Sequence, residues 1–93
     1  MGEKKEVSKE VIVKNSLGIH TRPAAQLVQE AMKFESDVFL IMDNTTVNAK
    51  SVLDILTLGA APGKKIVIKA IGKDADKAVK RLVSLFEERF GEK

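Results

Sequence analysis

Runs of apolar residues, first in alternation and then at helical spacing, outline seven elements along the chain. After a charged N-terminal tail, Val11-Ile12-Val13 is a short β-branched run that favours a strand, and the turn-forming Asn15-Ser16 with Gly18 ends it. From Ala24, the residues Leu27, Val28, Ala31 and Phe34 recur at three- and four-residue steps, so they share one helical face that needs a sheet to pack on. Val38 to Met42 is a second β-rich run, and Asp43-Asn44 turns it into Thr45-Thr46-Val47-Asn48 to make a hairpin. Ser51 opens a short second helix through Leu58, which Gly59 closes and Pro62-Gly63 prevents from continuing. Lys65 to Ala70 is the fourth strand, and Gly72 with Asp74 marks the loop and N-cap before the last helix. In that helix Ala75, Ala78, Val79, Leu82, Val83, Phe86 and Phe90 form one continuous stripe, stopped by Gly91.

The order β-α-β-β-α-β-α predicts an α+β fold, with a four-stranded, mostly antiparallel sheet that carries three helices on one face and leaves the other open to solvent. Residues 1–93 are enough for a single domain with one modest core. The absence of cysteine removes disulfides and thiolate chemistry, and one histidine makes a metal site improbable, so neither metal nor cofactor is expected. The polar start Met1-Gly2-Glu3-Lys4-Lys5 leads into no signal-like apolar stretch and no segment is long enough to span a bilayer, which points to a cytoplasmic protein with no membrane insertion. The net charge of +3, from sixteen basic and thirteen acidic residues, permits acidic partners without requiring them. With no Trp or Tyr and only four Phe, a nucleic-acid-stacking platform is poorly supplied.

The chemistry concentrates in Leu17-Gly18-Ile19-His20-Thr21-Arg22-Pro23-Ala24, where the only histidine immediately precedes a helix whose first turn contains a proline. Proline is tolerated there because first-turn amides have no intrahelical acceptor. Those amides and the positive end of the helix dipole suit an anion, and Arg22 adds a planar cationic fork that matches phosphate oxygens. A neutral imidazole is a good nucleophile, and the same surroundings favour the free base before reaction and an anionic adduct after it. Gly18 gives the loop freedom to place the ring over the helix end, and Thr21 offers a hydroxyl or an amide. A simple capping or surface histidine is the competing explanation.

The Gly-Ile-His-Thr-Arg-Pro-Ala run resembles the active-site signature of HPr, the histidine-containing phosphocarrier family of the bacterial sugar phosphotransferase system. The likeness continues through Asp37 to Leu40, Val47 to Gly59 and the closing Phe90-Gly91-Glu92. It implies an open-faced β-sandwich in which His20 accepts a phosphoryl group on Nδ1 from enzyme I and passes it to the IIA domain of a sugar permease. Arg22 would assist, with Gly18, Thr21 and Pro23 in support. Such a protein is a monomeric phosphoryl-transfer intermediate working with partner enzymes rather than a stand-alone catalyst. Thr21 stands where the family often has alanine.

Ser51 reads first as an N-cap. The resemblance adds a regulatory role, since the matching serine of low-GC Gram-positive members is phosphorylated by the ATP-dependent HPr kinase/phosphorylase and the product acts as corepressor with CcpA. A phosphate there should be accommodated by the helix origin and act through partner docking. Val52, Leu53, Ile55 and Leu56 exceed what one buried stripe needs, so part of this helix is expected to form an exposed docking surface for enzyme I and IIA. Asp54 departs from the family pattern, which commonly has glycine or lysine there. The alternatives are a regulatory paralogue acting mainly through Ser51, a small stand-alone phosphatase and, last, a nucleic-acid-binding domain.

Overall fold

The computed structural model describes residues 5–92; residues 1–4 of the charged tail read above, and Lys93, lie outside the described residues. Its elements are β1 (Lys5–Ile12), α1 (Thr21–Ala31), β2 (Asp37–Met42), β3 (Thr45–Asn48), α2 (Val52–Thr57), β4 (Lys65–Gly72) and α3 (Ala75–Glu87), followed by a 3₁₀ turn at Arg89–Gly91. The strands run in the order β1-β4-β2-β3, every neighbouring pair antiparallel. Strand β4 therefore lies inside the sheet, and its alternation of Ile66, Ile68 and Ala70 turns three apolar side chains to one face. Register places Val11 opposite Ile66, Leu40 opposite Ile68 and Val38 opposite Ala70, so the buried positions of three strands form one layer. Onto that layer pack Leu27 of α1, Ile55 of α2 and Leu82 of α3, all fully buried, in one contiguous core. Each such side chain contributes about 1.5–3 kcal/mol through burial. On the opposite face Phe39, Ile41, Val67 and Ile71 are only half-buried, which is the open face expected of this architecture.

Four local expectations need correction. Strand β1 starts at Lys5 and takes in residues read above as a charged tail, while Val13 lies beyond its end yet is buried. Val7 and Val11 meet the core four residues apart, with the exposed Lys9 between them on the same face, and the charges along this edge strand discourage pairing with further chains. Helix α1 begins at Thr21, directly after His20 as read above, but ends at Ala31, so Phe34 meets the core from the following turn rather than from the helix. The last helix ends at Glu87, and Phe90 reaches the core from a separate turn with left-handed backbone.

Asp74 occupies the position before α3, but its side chain caps nothing in that helix. Its carboxylate instead accepts from the Glu35 and Ser36 amides, each at 3.0 Å, and from the buried Ser36 hydroxyl. These bonds, Ser36 hydroxyl first, lower its pKa from 3.8 to about 2. A depressed folded-state pKa means that the stabilisation is complete above the unfolded value of 3.8 and lost as pH falls through about 2. Asp74→Asn should therefore destabilise the protein by about 1 kcal/mol at pH 7, and the gap to the native chain should close towards pH 2. Denaturant unfolding at both pH values checks this.

Candidate functional site

The segment from β1 to α1 is held against the loop before β4. Val13 N–H donates to Lys64 O at 2.9 Å, and Gly63 N–H returns a bond to Val13 O at 2.8 Å. Asn15 is buried; its carbonyl accepts from Gly18 N–H at 3.2 Å while its side-chain amide donates to Gly18 O, closing a tight turn. Gly18 has φ +70, and a Cβ there would collide with the Ala60 carbonyl oxygen, so only glycine fits. Ile19, also buried, donates its amide to that same oxygen at 2.9 Å.

These constraints deliver His20 as the exposed residue at the origin of α1, with extended backbone at φ −96 and ψ −167. Its carbonyl accepts the Ala24 amide at 3.0 Å, the first intrahelical bond. Its side chain does not cap the helix, and the first turn carries no acidic residue. The positive helix end is thus left without a side-chain acceptor beside a solvent-facing imidazole. Arg22 is exposed one step into the helix and makes no ion pair among the described residues.

His20, Arg22 and Pro23 line one cleft together with Asn15, Leu17, Gln26 and the C-terminal Arg89 to Glu92. Gly18 acts through its backbone from outside the cleft, and Thr21 is exposed without lining it. Ser51 and α2 contribute no lining residue. Six residues of α2 span roughly 9 Å between Ser51 and the loop whose Ala60 supports Gly18.

Ser51 is the N-cap of α2, its Oγ accepting the Asp54 amide at 3.2 Å. The Asp54 carboxylate sits at the same helix end, accepting Asn48 N–H at 3.3 Å. The residue that departs from the family pattern is thus an acidic first-turn group favoured by the helix dipole. A phosphate on Ser51 would share that helix end with the Asp54 carboxylate. Of the four apolar residues expected to dock partners, Leu53 is 77% exposed, Val52 and Leu56 are half-buried, and Ile55 is fully buried. Ile55 faces the core and cannot meet a partner.

Arg89 and Glu92 were not singled out from sequence as site residues. Phe90 falls four residues after Phe86, so the apolar stripe ran on through a real break in the backbone. Arg89 and Phe90 have φ of 55 and 53, left-handed values that cost roughly 1–2 kcal/mol each. Burial of Phe90 edge-on to Phe86, with ring centroids 5.0 Å apart, offsets that strain. The turn carries Glu92 to Ser16, whose amide and hydroxyl each donate to the carboxylate at 2.9 Å. The Ser16 amide, then its hydroxyl, hold the Glu92 carboxyl below the usual carboxylate range, with smaller help from Arg89 and His20. The glycine after Phe90 was the available signal for this turn.

Fold and site together define a small α+β protein that presents one imidazole at an uncapped helix origin, in a cleft that it shares with two arginines suited to an anion. The family model described as "PTS HPr component phosphorylation site" matches residues 7–88. The chain is 42% identical over 83 residues to the phosphocarrier protein HPr of Xylella fastidiosa, covering 89% of this chain and 93% of that one. It is 39% identical over 82 residues to the HPr-like protein Crh of Bacillus subtilis, covering 88% and 96%. Among solved structures it superposes on HPr-C-His from Thermoanaerobacter tengcongensis with a TM-score of 0.87 and 45% identity, over 96% of this chain and 98% of the other. The chain belongs to the HPr family of phosphocarriers, and its sheet and helices form that family's open-faced sandwich.

The Gly18 contact supplies a test of how tightly the histidine loop is held. Gly18→Ala should cost roughly 2–3 kcal/mol of stability, read by denaturant unfolding. A variant as stable as the native chain would show that the loop tolerates another backbone path.

Proposed function

We propose that His20 is the phosphoryl acceptor, taking the group from enzyme I and handing it to IIA domains of sugar permeases. The observation that carries this reading is an exposed imidazole at the origin of α1, where no side chain caps the first turn and Arg22 shares the cleft. In the transfer, the Nδ1 lone pair forms the bond to phosphorus while the bond from phosphorus to the donor's leaving atom breaks and that atom keeps the electron pair. The first-turn amides and Arg22 then solvate the phosphoryl oxygens, and the reverse exchange with the next protein empties the ring. Gly18 and Pro23 fix the geometry, and Thr21 is exposed beside His20 in sequence without lining the cleft.

The reading takes the carrier to work as a monomer. No described helix is long and apolar enough to cross a membrane, which accords with a cytoplasmic carrier. Docking falls to exposed apolar groups, Leu17 of the cleft at 73% exposure and Leu53 of α2 at 77%, with the half-buried Val52 and Leu56 on the same helix. A second reading, a regulatory paralogue phosphorylated at Ser51 by HPr kinase/phosphorylase and acting with CcpA, draws support from the likeness to Crh. The cleft built around His20 favours the carrier, since a module signalling through Ser51 alone has no use for it.

Incubation with phosphoenolpyruvate and enzyme I should label the native chain with an acid-labile group and leave His20→Ala unlabelled. Arg22→Ala should take label about tenfold to a hundredfold more slowly. Label on the His20 variant would overturn the assignment. Ser51→Ala should keep that labelling, lose any label from ATP and the kinase, and cost about 1 kcal/mol of stability through the missing cap. A Ser51 variant still labelled from ATP would place the regulatory site elsewhere.

A further inference from the structure

The cleft at His20 contains a second arginine for which the carrier reading has no task. Arg22 enters it from the first turn of α1 and Arg89 from the C-terminal turn. With His20 and Glu92, these are the charged and titratable side chains lining the cleft among the described residues. Arg89 rests on Glu92, Nη2 to Oε1 at 3.4 Å, with the two side chains 49% and 29% exposed. A contact that long and that solvated is weak. Glu92 does not depend on it, because the Ser16 amide and hydroxyl already bind the carboxylate at 2.9 Å. Arg89 can leave without abandoning an unpaired charge.

Its backbone, by contrast, is fixed. The neighbouring Phe90 is buried, and the Phe90 carbonyl accepts from Gln26 Nε2 of α1 at 3.3 Å. The guanidinium can therefore turn about a stationary Cα in the cleft that His20 and Arg22 also line.

We propose that Arg89 is a phosphoryl-holding residue: once His20 is loaded, its guanidinium leaves Glu92 and shares the phosphoryl oxygens with Arg22. The proposal rests on His20 being the acceptor. A phosphoryl group approaching two negative charges attracts a guanidinium more strongly than one carboxylate does, and its oxygens match the planar donor fork. Only hydrogen bonds are exchanged; no bond to phosphorus forms or breaks at Arg89. Glu92 then acts in the opposite sense, parking Arg89 beside the empty site and repelling the phosphoryl group in the loaded one. The balance between them tunes how firmly the group is held before it moves on.

The test loads native protein, Arg89→Gln and Glu92→Gln with phosphoenolpyruvate and enzyme I, then follows the phosphorus resonance against pH. Arg89→Gln should raise the pH at which the phosphoryl group takes up a proton by ~0.5 unit, and Glu92→Gln should lower it by a similar amount. A clasp that only braces the loop would move both variants in the same direction. Such parallel shifts, or three identical titrations, would overturn the role of Arg89 while leaving that of His20 standing. Native protein that takes no label would overturn the acceptor reading instead. Should Arg89→Gln fail to fold, Arg89→Lys carries the test, with an intermediate shift expected and no shift counting against the proposal.

Discussion

An α-helix begins with amides that have no intrahelical acceptor, and the site depends on how that deficit is met at the start of α1. Most helices meet it with a serine, threonine or acidic side chain. Here the position belongs to His20, whose ring caps nothing, and no acidic residue follows in the first turn. The second helix of the same face follows the opposite course, with Ser51 capping its origin and Asp54 adding a negative charge. One helix end is satisfied internally, and the other is kept for something that arrives.

Keeping an end open requires a rigid surround, because a mobile loop would supply its own oxygen to the free amides. The turn closed by Asn15, the left-handed Gly18 and the Ala60 carbonyl that receives Ile19 remove that freedom. From the other side the strained C-terminal turn ties Glu92 to Ser16. The cleft is thus bounded by two segments from distant parts of the chain, each anchored by a buried side chain, Asn15 in one and Phe90 in the other.

The element order, the antiparallel sheet with its helices, the N-cap at Ser51 and the position of His20 were legible because each rests on a local signal. Alternation marks β4, helical period marks α3, and proline in the first turn marks the start of α1. What escaped depends on long-range pairing. Lys5 to Glu10 read as tail because their apolar residues are sparse, and only the partner β4 makes them a strand. Ile55 could not be told from its neighbours as core rather than surface without the helix's orientation over the sheet. The approach of Arg89 and Glu92 to His20 was hidden for the same reason, since the break after Glu87 left the apolar spacing of Phe86 and Phe90 undisturbed.

The placement of β4 inside the sheet governs how the chain can assemble. Among the described residues, strand β1 has hydrogen-bonding partners only in β4, far along the chain. Closing so long a loop costs entropy before any contact compensates it, so the sheet cannot form from its N-terminal end onward. The β2–β3 hairpin pairs residues close in sequence; β4 must join it before β1 can take the edge, and completion of the fold waits for that distant partner.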